Sequence, residues 1–353
     1  MQPVPMATEH VKTIADIARI AGVSKATVSR ALNDSTLVSA ETRARIRAIA
    51  EQHDFEMNAT ARSLSRRETN VIALATYPYE PFGPDELPPG FVPTDKLPDT
   101  FVLEVMSGLA AGLHARDYDL LMIQIASNDT GWIARYLDSG RVDGFVLMAA
   151  NYNAKHREAL EARGAPFVVW GLDSASHSYS TVSGDSYAGG RIATQHLLDT
   201  GRRRIAFIGG PDTEQESQDR YRGYASALGG AHVWVDPSLV TYGWYSSESA
   251  AVRMRELLAR HSNIDAVFAC SDVMAIAAIE ELRSAGRAVP DDVAVVGYDD
   301  VALAAHANPP LTTVRQPGPL AGRLLADSLI QQLRTGAVVH VSMPAELVIR
   351  ESG

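Results

Sequence analysis

"IADIARIAGVSKATVSRALND", Ile14 to Asp34, decides how the rest of the chain is read. Ile14, Ile17, Ala18 and Ala21 fall at i, i+3, i+4 and i+7, and Val28, Ala31 and Leu32 repeat the spacing beyond Gly22. The stretch therefore predicts a pair of short helices, each with one apolar stripe, joined by a tight turn that glycine permits. Ser24 is the expected N-cap of the second helix, which runs to Leu32. A third helix is expected after Ser39 in "SAETRARIRAIAEQ", with Ile46, Ile49 and Ala50 turned inward. The outer face of the second helix is unusual in its chemistry. Lys25, Ala26, Ser29, Arg30 and Asn33 share it, and they are hydrogen-bonding groups around one small methyl. Such a face suits a major groove: Lys25 and Arg30 can donate to guanine edges, Ala26 can touch a thymine methyl, and Ser24, Thr27 or Ser29 can hold phosphates.

The charge distribution agrees with that reading. The formal net charge is −10, but up to Glu68 there are ten Lys/Arg against eight Asp/Glu, so the excess of acid lies entirely in the remainder. A mildly basic head on an acidic body fits a nucleic-acid module joined to something else. At 353 residues the chain is long enough for two or three packed units. The single cysteine, Cys270, sits in the apolar run "DAVFACSD", where a buried thiol acts as a small hydrophobe. "MQPVPMATEHVKT" has no apolar signal core, and no apolar run nears the roughly 20 residues of a spanning helix, so a cytoplasmic protein is expected.

Residues 56–69 are polar and bury little, which marks a linker between a head at 1–55 and the body. From Asn70 onward, short apolar strands such as "VIALA", "DLLMIQI", "GFVLMAA" and "FVVWG" alternate with amphipathic helical stretches. The alternation restarts with "RIAFIGG", "AVFACSD" and "VAVVGYDD". Near-continuous apolar strands between helices imply parallel sheets covered on both faces, hence a multidomain chain: an all-α head and an α/β core of two lobes. The expected lobes are 70–184 with 314–338, and 185–313 with 339–353.

"TIADIARIAGVSKATVSRALN…VSAETRARI" resembles the helix-turn-helix head of the lactose/galactose-repressor (LacI/GalR) family of bacterial transcription regulators. The resemblance spans nearly the whole chain: "MNATARSL" resembles the family's hinge helix, and "GRRRIAFIGG", "RYRGY", "SDVMAIAAI", "VPDDVAVVGYDD" and "PPLTTVRQP" resemble its core signatures. It implies a periplasmic-binding-protein-like core and a homodimer on a pseudo-palindromic double-stranded DNA operator. It also implies a hinge in which Leu64 wedges a central base step while Asn58, Ala61 and Arg62 line the minor groove. Where relatives commonly have proline before the asparagine, this chain has Met57.

Ligands of open α/β sheets settle beyond the carboxyl ends of strands. That rule alone selects Trp170 and Asp173 after "FVVW", Asp272 after "VFACS" and Asp299 after "VVGY". The resemblance implies Phe101, Arg220, Trp244, Tyr245, Asp272 and Asp299, and with Trp170 from the strand-end rule these make the expected effector site. Arginine and aspartate forks around flat rings suit a sugar or glycoside, with a purine as the alternative. The segment from Tyr77 to Pro98 carries seven prolines and emerges at a strand end. It is expected either to form a lid offering Tyr77, Tyr79, Phe82 or Phe91, or to be a surface insertion. No Gly-rich phosphate turn, Gly-x-Ser-x-Gly elbow or His/Cys cluster at metal spacing occurs, so neither catalysis, a metal nor a cofactor is expected. A sugar-binding protein without a regulatory role is the remaining rival, and the DNA-reading head argues against it.

Overall fold

The computed structural model describes residues 13–33, 35–55, 68–76, 100–125, 129–148, 154–171 and 177–353. The chain divides into two compact units, 1–70 and 71–353. The hinge residues Asn58, Ala61, Arg62 and Leu64, the cleft candidate Asp173 and the proline-rich segment lie outside the described residues.

In the first unit, α1 (Ile14–Ala21), α2 (Lys25–Leu32) and α3 (Ala40–Gln52) enclose Ile17, Val28, Ala31 and Ile46, all fully buried. Ile17, Val28 and Ile46 are each worth about 1.5–3 kcal/mol on burial and Ala31 less, which leaves much of the work to local devices. Thr13 and Asp16 form a reciprocal capping box, and Ser24 and Ser39 accept from the backbone N–H groups of Thr27 and Thr42. Gly22 ends α1 in the left-handed region at φ 63°. Arg45 reaches across to donate to the carbonyl of Ala21 at 3.2 Å, fastening α3 to the turn.

The second unit holds two six-stranded sheets. The first lobe contains β1 (Val71–Thr76), α4 (Thr100–His114), β2 (Asp119–Gln124), β3 (Gly144–Leu147), α5 (Ala154–Ala162), β4 (Phe167–Trp170) and β5 (Ser180–Gly184). The second contains α6 (Ser186–Asp199), β6 (Ile205–Gly209), α7 (Gln215–Gly230), β7 (Val240–Tyr242), α8 (Ser247–Arg260), β8 (Ala266–Ala269), α9 (Asp272–Ser284), β9 (Ala294–Asp299) and β10 (Thr312–Arg315). The chain then crosses back through α10 (Gly318–Thr335) and β11 (His340–Met343) to the first lobe, and ends with β12 (Glu346–Val348) in the second. The orders are β11-β5-β4-β3-β1-β2 and β12-β10-β9-β8-β6-β7. All pairs are parallel except β10 with β12.

The lobe boundaries differ from the expected ones at both late crossings. Val314 and Arg315 belong to the second lobe, because β10 extends the β9 edge in register, with Arg315 opposite Asp299. Residues 340–343 belong to the first, because β11 pairs with β5. Sequence reading passed over β5 because it is "STVSG", not an apolar run. Its polar side chains are buried but partly matched: the hydroxyl of Ser180 accepts from the N–H of Val339 at 3.2 Å, and that of Thr181 lies 2.9 Å from Nδ1 of His340. Helix α10 packs on α4 through Val105, Leu109, Leu113, Ala321, Leu325 and Leu329, which form one buried cluster.

Candidate functional site

On the head, the expected reading face is present as a surface. Ser24, Lys25, Ala26 and Arg30 are exposed, Thr27, Ser29 and Asn33 are partly so, and Val28 and Ala31 are buried beneath them. The hydroxyls of Ser24 and Thr27 lie 2.8 Å apart, and the first also accepts from the N–H of Thr27 at 3.1 Å. Both are therefore bound into the cap, which fixes the start of α2 with its positive dipole end. Asn33 forms the C-cap, its N–H donating to Ser29 at 3.1 Å.

In the core, a cavity of about 570 Å3, part of it open to solvent, lies between the lobes at the carboxyl ends of their strands. The first lobe supplies Phe101 and Val102 from α4, Met148 after β3 and Trp170 at the end of β4. The rings of Phe101 and Trp170 lie 5.4 Å apart at 50°. The opposite wall is Glu214, Glu216, Arg220, Tyr245, Asp299 and Gln316. Arg220, only 3 % exposed, donates from Nη1 to the carbonyl of Cys270 at 2.7 Å and from Nη2 to Glu216 at 3.3 Å. Its guanidinium carbon lies 3.8 Å from the centre of the Tyr298 ring, which closes the back of the site. Asp299 ends β9 at φ 114°, a conformation that side-chain-bearing residues rarely adopt, and accepts from Nε2 of Gln316 at 2.8 Å.

The electrostatics follow from burial around one cation. Burial pushes the Glu214 carboxyl up to about 8, reinforced by Glu216 and opposed by Arg220. Glu216 is also raised by burial, again against the pull of Arg220. Burial alone would lower Arg220, yet Tyr245, Tyr298, Glu216 and Asp299 hold it well above its ordinary value. The Cys270 thiol is pushed up to about 12 by burial, which leaves it an inert hydrophobe with its carbonyl serving Arg220.

Five of the seven expected cleft residues, Phe101, Trp170, Arg220, Tyr245 and Asp299, come together here. Two do not. Asp272 is fully buried, and its carboxylate accepts from the hydroxyl of Thr313 at 2.5 Å and from the N–H of Val301 at 2.9 Å. It ties α9 to β10 and to the β9–β10 connection and does not line the cavity. Trp244 is also absent from the lining; it and Tyr245 both adopt positive φ, 53° and 51°, and that bend delivers only the second ring. Sequence reading missed Glu214, Glu216 and Gln316. The strand-end rule covers them, since the first two follow β6 and the third follows β10, but Glu214 and Glu216 lie several residues beyond their strand and Gln316 follows a strand rich in threonine.

A DNA-reading helical head joined to a two-lobed core with a polar cleft defines a class: ligand-sensing regulators of transcription. Comparison with known proteins places the chain within that class. Residues 13–58 match the family described as bacterial regulatory proteins, lacI family, and residues 194–353 match a periplasmic binding protein-like domain. The HTH-type transcriptional regulator CelR of Thermobifida fusca is 36% identical over 347 residues, covering 97% of this chain and 98% of that protein. The solved structure of a CelR–cellobiose complex superposes with a TM-score of 0.71 at 34% identity, covering 97% of this chain and 100% of that one. The lac repressor dimer bound to operator and an anti-inducer shares the fold, with a TM-score of 0.79 at 23% identity over 99% of both chains. The chain belongs to the lacI family of bacterial regulatory proteins and is a DNA-binding transcription regulator. Among the described residues, no helix is long and apolar enough to cross a membrane.

Proposed function

We propose that this protein is a repressor whose hold on a two-fold operator is set by a carbohydrate bound between the lobes of its core. The observation that carries the effector class is the two-faced cavity, with Phe101 and Trp170 on one side and Arg220, Asp299 and Gln316 on the other. A sugar ring has the matching halves: C–H faces that cover aromatic rings and a hydroxyl edge that hydrogen-bonds. The likeness to a regulator solved with cellobiose supports the same class. A purine would also use aromatic and polar partners. However, the acids around Arg220 favour a ligand with many O–H donors.

The remaining roles follow from the head. One eight-residue helix reaches only a few base edges, so a specific site needs two heads, and the protein acts as a homodimer. Leu64 serves as the minor-groove wedge, with Asn58, Ala61 and Arg62 beside it. The chain works by binding, without catalysis. A ligand that prefers one arrangement of the lobes changes operator affinity, and operator must change ligand affinity by the same factor.

A thermal-shift screen of the whole protein against mono- and disaccharides and purines tests the effector class. A ligand at about 100 times its dissociation constant adds roughly 2.7 kcal/mol. A shift with a saccharide is expected; a shift with purines alone would overturn the assignment. On the DNA side, Arg30→Ala should cost about 1–3 kcal/mol at the selected site and relax base preference at one position. Equal losses on all sequences would demote Arg30 to a phosphate contact.

A further inference from the structure

Among the ten lining residues there are three carboxyl groups, Glu214, Glu216 and Asp299, and one cation, Arg220. Both terminal nitrogens of that cation are already engaged, by Cys270 and Glu216. Glu216 does this from an interlobe position. It stands on α7 of the second lobe, and Gly171, at φ 93° after β4 of the first, gives it room: a Cβ there would lie 2.5 Å from its Oε2. The carboxylate therefore occupies the seam, where a ligand's charged group would otherwise approach Arg220. Three buried polar atoms in this wall lack a partner, Nε of Arg220, Oε1 of Gln316 and the hydroxyl of Tyr245. The first is a donor, the second an acceptor, and the hydroxyl can be either.

From this arrangement we infer that Glu214 and Glu216 act as a charge filter, making the cleft a receptor for uncharged sugars and excluding sugar phosphates and sugar acids. A phosphate or carboxylate entering the wall would meet Glu216 and Asp299 around a single arginine whose charge Glu216 already offsets. It would carry its own desolvation cost without a cation to offset it. A hydroxyl meets none of these obstacles. It donates to the acid oxygens as a neutral group, so it binds this wall without needing a counter-ion. Glu214, which burial drives toward its protonated form, adds an acid O–H donor without adding attraction for an anion. Glu216 is the more decisive of the two because it both neutralises Arg220 and spans the seam.

This inference rests on the carbohydrate reading, and the experiment separates the two. Dissociation constants of the whole protein are measured by calorimetry for matched sugars: cellobiose, cellobiose 6-phosphate and cellobionate, and glucose, glucose 6-phosphate and glucuronate. The neutral member of a series should bind at least about 100-fold more tightly than its anionic partners. Glu216→Gln should narrow that ratio by about tenfold or more, with Glu214→Gln narrowing it less. Equal affinity for neutral and anionic partners in the unmutated protein, or an unchanged ratio in both variants, overturns the filter and leaves the carbohydrate reading standing. Binding of none of these sugars, together with no shift by any saccharide in the thermal screen, overturns both.

Discussion

The two lobes are built to one plan and face the same cavity with opposite chemistry. Each is a six-stranded sheet whose first strand in sequence is flanked by its second and third, and each offers its strand ends to the ligand. Yet the first lobe brings Phe101, Val102, Met148 and Trp170, while the other wall brings Glu214, Glu216, Arg220, Tyr245, Asp299 and Gln316. The division has a physical rationale. Buried charges need partners at fixed positions, and one lobe can hold them together regardless of how the lobes move. The apolar wall needs only contact, so it can close onto a ligand and open again without breaking ion pairs. Glu216 is an exception among the cavity's polar residues, since it packs against Gly171 of the other lobe.

The largest expected break in this contrast is at its single cation. Arg220→Ala leaves Glu216 and Asp299 without their positive neighbour. A loss of about 3–5 kcal/mol in core stability is expected, together with loss of measurable saccharide binding. Denaturant unfolding and calorimetry check the two effects separately; a variant that still binds sugar with unmutated affinity would remove Arg220 from the site.

The polar wall also makes a prediction about pH. The carboxyl of Glu214 is raised to about 8, so between its ordinary value near 4.5 and 8 the folded protein keeps a proton that the unfolded chain has lost. Stability therefore falls as pH rises through that window, by about 5 kcal/mol or less from this group, and levels off above it. Glu216 is shifted the same way and adds the same sign. Urea midpoints from pH 5 to 8.5 should decline in the unmutated protein and decline less in Glu214→Gln. Parallel curves would show that Glu214 is not held protonated.

Gly171→Ala attacks the seam. The added methyl at φ 93° costs about 1–2 kcal/mol in backbone strain and must displace the Glu216 carboxylate. Sugar affinity should fall by about tenfold or more while head stability is untouched. The apolar wall should respond least: Trp170→Leu keeps the wall apolar but loses the flat face and part of the fill, and about tenfold weaker binding is expected. If that substitution hurt binding more than Arg220→Ala, the contrast between the walls would be inverted.

How much of this was legible beforehand depended on whether a signal was periodic. The α1–α2 pair declared itself through stripe spacing, Gly22 and the Ser24 cap, all local features. The lobe strands with apolar runs were equally plain. Strand β5 was not, because Ser180, Thr181 and Ser183 are buried by pairing partners far along the chain, including His340. The same limit misplaced the late crossings, since a strand's sheet is fixed by its neighbours and not by its own composition. In the cleft, Asp272 and Asp299 look alike as carboxylates after strands. Only the structure separates them, one engaged by Thr313 and Val301 and the other facing the cavity with Gln316.

The central claim is that the cleft and the DNA-reading face are coupled, and one pair of titrations tests it most directly. Operator selected from random DNA is titrated with the whole protein by fluorescence anisotropy, with and without a saccharide that stabilises it, and the saccharide is then titrated with and without operator. The account predicts that saccharide changes operator affinity by roughly 5–150-fold, and that operator changes saccharide affinity by the same factor. Operator and saccharide that each bind tightly, yet leave the other's affinity unchanged, would contradict it.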